Sequence, residues 1–145
     1  MNKEVERIMH EVVNLEDAER AKLGRQALER LYRNLRKQDY HKDRIANIVI
    51  NLTRMYVSAD KDCAVKEYGF FKEATGLDVS YREFFHATQF GDKEAFVKAM
   101  VNNIKEEFDE DTKTAVVLYG IALTASDDTI TRDEYSLFQK ILEDE

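Results

Sequence analysis

Apolar residues recur along this chain at intervals of three and four, the period of an α-helix, and nowhere in the sustained alternation of a half-buried strand. Val5, Ile8, Met9, Val12 and Val13 mark a first helix. Asn14 then fits an N-cap with Asp17 three residues on, and the pattern predicts a long second helix to Lys37. Its expected inner face holds Ala27, Leu28, Leu31, Tyr32 and Leu35. A third helix, about 41–59, carries the stripe Ile45, Ile48, Val49, Leu52, Met55 and Tyr56. A fourth, about 64–75, is expected to bury Tyr68, Phe70 and Phe71 and to end at Gly76.

Ser80-Tyr81-Arg82-Glu83 has the form of a capping box and opens a short fifth helix with Phe84 and Phe85. Gly91-Asp92 opens a sixth with Phe96, Val97, Met100, Val101 and Ile104 inside. The seventh, about 111–125, is apolar almost all round, the pattern of a central buried helix. Thr131-Arg132-Asp133-Glu134 is a second capping box. The last helix should turn Tyr135, Phe138, Ile141 and Leu142 inward. The expectation is one all-α bundle of seven to eight helices, with residues 1–37 as a helical extension packed on a main domain of 38–145.

Two stretches repeat at an offset of 67 residues. Asp60 falls on Asp127, Glu67 on Glu134, Tyr68 on Tyr135 and Phe71 on Phe138. Upstream, Val49 falls on Val116, Leu52 on Tyr119 and Tyr56 on Leu123. Each copy reads as an apolar helix, an acidic turn, and a helix opened near a glutamate. Two such hairpins packed antiparallel bury both apolar helices in one core. A first-turn glutamate also has a structural task, since its carboxylate satisfies free amides at the positive end of the helix dipole.

Charge separates the chain into unlike parts. The net charge is −7, yet residues 20–44 carry 9 Lys/Arg against 3 Asp/Glu, while residues 45–145 carry 11 against 20. An acidic body disfavours general nucleic-acid binding, which depends on neutralising phosphates. Lys22, Arg25, Arg33 and Arg36 fall near one face of the second helix, with Arg30, Lys37, Lys42 and Arg44 nearby. Such a row is a solvated face, a face docked on the acidic body, a surface for a protein partner, or, least favoured, a contact for nucleic acid. The single cysteine, Cys63, excludes an internal disulfide. Its alignment with Ile130 suggests a small side chain pointing into the core rather than a nucleophile. The longest apolar run, Thr114–Thr124, falls short of the ~20 residues of a membrane span. The amino terminus lacks the apolar core of a signal peptide. These features lead one to expect a soluble, cytoplasmic protein with no membrane insertion.

The two repeat copies read Tyr56-Val57-Ser58-Ala59-Asp60-Lys61-Asp62-Cys63-Ala64-Val65-Lys66-Glu67 and Leu123-Thr124-Ala125-Ser126-Asp127-Asp128-Thr129-Ile130-Thr131-Arg132-Asp133-Glu134. Over about residues 40–142 this arrangement resembles the TerB-like tellurite-resistance family. That family repeats an apolar helix followed by Ala-x-x-Asp-Gly-x-(Ile/Val)-x-x-x-Glu. The family's glycine is replaced by Lys61 in one copy and Asp128 in the other. The resemblance implies an all-helical fold, a link to tellurite or stress resistance, and a divalent metal at the acidic residues.

On that reading Asp60, Asp62, Glu67, Asp127, Asp128 and Glu134 join across the pseudo-twofold to hold a divalent cation (Ca, Mg, Mn or Zn). An EF-hand does not fit. Its glycine and bidentate-glutamate positions would fall on Arg132 and Phe138, or on Val65 and Phe71. Glu83 and His86 have the Glu-x-x-His spacing of a di-iron bundle, but no second copy exists. No nucleophile elbow or glycine-rich phosphate loop is present. The sequence therefore points to a non-enzymatic binding module. The alternative is a metal-free protein–protein adaptor that uses the basic amino-terminal helices.

Overall fold

A computed structural model of the chain describes residues 2–59, 64–88, 91–125 and 130–143. The described residues form eight α-helices and no strand: α1 (Lys3–Val12), α2 (Asp17–Lys37), α3 (Lys42–Ala59), α4 (Ala64–Thr75), α5 (Tyr81–Thr88), α6 (Lys93–Glu107), α7 (Glu110–Thr124) and α8 (Arg132–Leu142). The all-α bundle follows from the periodicity. No described helix is long and apolar enough to cross a membrane.

At the centre lies α7, in which every residue but Glu110, Asp111 and Leu118 is buried. It packs against α1, α2, α3, α4 and α8, with its most extensive contact along α2. Glycines admit neighbouring rings into the bundle, Gly24 of α2 a ring of α4 and Gly120 of α7 a ring of α3. A Cβ added at Gly24 would come within 2.5 Å of the Phe70 ring, and one at Gly120 within 2.3 Å of the Tyr56 ring. Val5, Ile8, Val12, Leu31 and Leu35 join the same core as Leu52, Tyr56, Phe71, Leu123, Phe138 and Ile141.

The helix ends follow their sequence signals in most places. Asn2 caps α1 by accepting from Val5 N at 2.9 Å, and Asp92 caps α6 by accepting from Ala95 N at 3.2 Å. Ser80 and Glu83 form their reciprocal box at α5. Gly76, at φ +69°, ends α4, as the left-handed position after a helix demands.

Three sequence expectations need correction. The start of α2 is capped at Glu16, whose N–H donates to Glu19 Oε1 at 3.3 Å, so Asn14 is not the cap. Asn14 and Leu15 instead continue a tight turn onto Glu11 O and Val12 O. Tyr32 is 45% exposed, because the packed face of α2 centres on Gly24, Ala27, Leu31 and Leu35 and turns Tyr32 outward. Tyr135 is 41% exposed, and the inward position beside it belongs to Glu134.

Candidate functional site

Two arrangements of charge stand out, and they lie in opposite environments. The first concerns the repeat. The α3–α4 and α7–α8 pairs meet in the core, with α3 touching both α7 and α8 and α4 touching α7. Two tyrosines interlock the pairs. Tyr56 of α3 donates to Val116 O of α7 at 2.8 Å, while Tyr119 of α7 shares a 2.6 Å hydrogen bond with Thr53 of α3. Their rings meet edge to face at 6.3 Å, and Phe138 lies 5.8 Å from Tyr56. Burial raises the ionisation of both phenols well above the ordinary tyrosine range. For Tyr119, the Thr53 hydrogen bond opposes that shift and the negative charge of nearby Glu67 adds to it.

Glu67 and Glu134 occupy equivalent positions in the first turns of α4 and α8 and are 1% and 0% exposed. Glutamate is rarely so deeply buried, because a carboxylate removed from water must be repaid by hydrogen bonds or opposite charge. Part of the answer for Glu134 is its capping box. Thr131 N donates to Glu134 Oε1 at 2.7 Å, and Glu134 N donates to Thr131 Oγ1 at 3.2 Å. Neither carboxylate stands alone. Both point inward because they share a helix face with core residues. Glu67 aligns with Phe70, Phe71 and Ala74, and Glu134 with Leu137, Phe138 and Ile141.

Of the expected metal ligands, Asp60, Asp62, Asp127 and Asp128 lie outside the described residues, as does Cys63. Among the described residues no three His, Cys, Asp or Glu side chains gather into a metal-holding group. Glu83 serves its capping box, and His86 is exposed with its ring against Phe85.

The second arrangement is the cationic face of α2. Lys22, Arg25, Arg33 and Arg36 are all exposed. Arg25 donates to Glu73 O at 3.5 Å and Arg36 to Tyr40 O at 3.2 Å, both backbone carbonyls. None of the four pairs with a carboxylate among the described residues. The acidic body is met instead by Arg30, which bonds Asp111 twice and Glu4 at 3.1 Å. Asn34 adds a 2.6 Å bond to the same aspartate. The Arg30 guanidinium and Asn34 hold the Asp111 carboxyl below its usual range, and Asp111 in turn raises Arg30.

Another cation of α2, Arg20, has a structural task that its place in the basic stretch conceals. It is 2% exposed, and its guanidinium donates to Val12 O at 2.9 Å and Val13 O at 2.8 Å. It thereby satisfies carbonyls left open at the end of α1. The only sequence signal for this was position: an arginine one turn into α2, just beyond a short interhelical turn.

No family model, curated protein or solved structure matches this chain.

Proposed function

We propose that this chain is a non-enzymatic binding module, TerB-like in its repeated hairpins, that engages a protein partner through the basic face of α2. The observation that carries the reading is the state of four cations. Lys22, Arg25, Arg33 and Arg36 stand exposed on one helix, without a carboxylate partner among the described residues, on a chain with net charge −7. An acidic chain has ample carboxylate to pair with them, and it pairs Arg30 instead. Unpaired guanidinium groups are donors suited to carboxylates supplied from outside. Glu29 interrupts the row on the same face, which suits a partner of mixed surface better than a uniform phosphate backbone. The test is a pull-down with the wild-type chain and with a quadruple variant carrying glutamate at all four positions, followed by titration of the purified partner. A defined partner lost in the variant, with weaker binding at high salt, supports the reading. Equal capture by both removes it.

A divalent cation at the paired acidic turns is the second reading, and a separate observation favours it. The two repeats place buried glutamates, Glu67 and Glu134, at equivalent first-turn positions directly after those turns. With Asp60, Asp62, Asp127 and Asp128 of the sequence they supply carboxylates of the kind hard cations prefer. In the TerB-like resemblance this metal accompanies a role in tellurite or stress resistance. Thermal unfolding with Ca²⁺, Mg²⁺, Mn²⁺ or Zn²⁺ tests it, with the Asp60→Asn, Asp127→Asn double variant as control. A ligand bound only by the native state raises the midpoint. A rise with one metal, abolished in the variant, supports the site. No rise with any metal leaves the glutamates as first-turn caps.

A further inference from the structure

The basic face of α2 borders a groove. Helices α1 and α2 both rest on α7 and run antiparallel, bridged at one end by Arg20 to the carbonyls of α1 and at the other by Arg30 to Glu4. Between these ties lies a groove of about 410 Å³. Its floor is apolar: Ile8 from α1, Leu23 and Ala27 from α2, and Leu118 from α7. Leu118 is one of the few residues of α7 left partly open. The charged residues lining it are Glu4, Arg7, Glu29, Arg30 and Arg33. Arg30 and Glu4 are committed to each other, and Arg7 lies 3.5 Å from Glu11. Arg33 is exposed and without a carboxylate partner among the described residues.

The four cations of α2 divide with respect to this groove. Arg33 lines the groove, and Lys22, three turns away along α2, lies about 20° from it around the helix. Arg25 and Arg36 lie round the helix, where Arg25 reaches Glu73 O of α4 and Arg36 reaches Tyr40 O. Their separation from Lys22 along the wheel is about 40–60°.

We infer that the groove between α1 and α2 takes an acidic amphipathic helix of a partner protein, its apolar side on Leu23, Ala27 and Leu118 and its carboxylates on Lys22 and Arg33. This rests on the proposed role of the basic face and makes it specific. Charge complementarity chooses the acidic partner, and the apolar floor chooses a segment with an apolar stripe. A groove between two helices, with a third helix as floor, matches the shape of an added helix. A nucleic acid would have charge to offer the cations but nothing suited to the aliphatic floor.

The probe is a synthetic, fluorescently labelled helix of about 18 residues, with leucines at i, i+4 and i+7 spacing and glutamates on both flanks. Two controls accompany it: the same peptide with glutamine for leucine, and a single-stranded DNA of equal charge. Binding is read by anisotropy against wild type, Arg33→Glu, Gln26→Trp and Lys98→Glu. All three substituted positions are exposed, and each variant's unfolding midpoint checks that it folds. Gln26 lines the groove, so a tryptophan there occludes it. The leucine peptide is expected to bind wild type, to lose about tenfold in affinity with Arg33→Glu and with Gln26→Trp, and to stay within about twofold with Lys98→Glu on α6, away from the basic face. Equal binding of the glutamine peptide would overturn the groove while leaving the basic face as a docking surface. Tighter binding of DNA than of the peptide would overturn it in favour of nucleic acid. Failure of the leucine peptide to bind would also overturn it, and the quadruple variant's pull-down then decides separately whether the basic face has a partner.

Discussion

The two copies of the repeated hairpin have the same plan and unlike surroundings. At equivalent positions α3 has Asn47, Ile50, Asn51 and Arg54, while α7 has Thr114, Val117, Leu118 and Ile121. The first set is exposed or half-buried; of the second, all but Leu118 are buried. The cause is α2, which lies along α7 and has far less contact with α3. The two helices share a pattern, and α2 covering one of them accounts for its apolar outer face. An all-round apolar helix is thus a record of its neighbours. On this view α2 has two jobs on opposite faces: Gly24, Ala27, Leu31 and Leu35 complete the core around α7, and the cations face outward.

The largest expected effect is on removal of residues 1–37. That change uncovers α7 and should abolish a single cooperative thermal transition, with increased binding of a hydrophobic dye. A cooperative melt in residues 38–145 would break the comparison, because the hairpins would then be self-sufficient. Next in size is Leu31→Ala or Leu35→Ala. Each empties a fully buried site between α2 and the core and should cost about 2–5 kcal/mol by urea unfolding. Ile50→Ala on the open face of α3 should cost well under that, about 0.5 kcal/mol.

A smaller effect sharpens the asymmetry at the crossing of α3 and α7. Gly120 faces the Tyr56 ring, whereas its counterpart Thr53 carries the hydroxyl that meets Tyr119. Gly120→Ala should destabilise by about 1–3 kcal/mol through overpacking, despite alanine's better helix propensity. Gly69→Ala, where an added methyl meets nothing, should instead stabilise by up to about 1 kcal/mol. The same crossing predicts a response to base. Burial raises Tyr56 and Tyr119 in the folded state, so both stay neutral after the unfolded chain's tyrosines begin to ionise near ~10. Their contribution is whole below that pH and is lost as pH rises further. Tyr119→Phe should therefore make stability less steeply dependent on pH above about 10.

Helices were the most legible feature of this sequence, because a 3.6 period survives almost any tertiary context. The central place of α7 was legible too, since twelve apolar or small residues leave it no polar face. Harder to read were positions where one residue serves two patterns. Glu134 is the glutamate of a capping box and also shares a face with Leu137, Phe138 and Ile141. A charge at that place looks like a solvated turn, and the apolar stripe was assigned to Tyr135 instead. The spacing of Glu67 with Phe70, Phe71 and Ala74, repeated 67 residues later, was the available signal. Arg20 was illegible for a related reason. Its burial depends on carbonyls at the end of another helix, and side-chain periodicity carries no trace of them.

The smallest effect tests the contact between the basic helix and the acidic body. Asp111 opens the α7 copy, and Arg44 stands at the equivalent position in α3. The aspartate receives Arg30 and Asn34 from α2; the arginine lies over the Tyr40 ring and 3.6 Å from Glu107. The hydrogen bonds from Arg30 and Asn34 hold Asp111 below its unfolded value. Its contribution is therefore present above pH ~4 and lost as pH falls through the folded value. The aspartate is exposed and Arg30 half-buried, so Asp111→Asn should cost no more than about 1 kcal/mol at neutral pH. The difference between variant and wild type should shrink with added salt and vanish in acid. A larger loss that persists at high salt would mean that α2 is fastened to α7 through this charge. The apolar seam of Leu31 and Leu35 would then be secondary, and the burial of α7 would follow from where the ion pair sets α2.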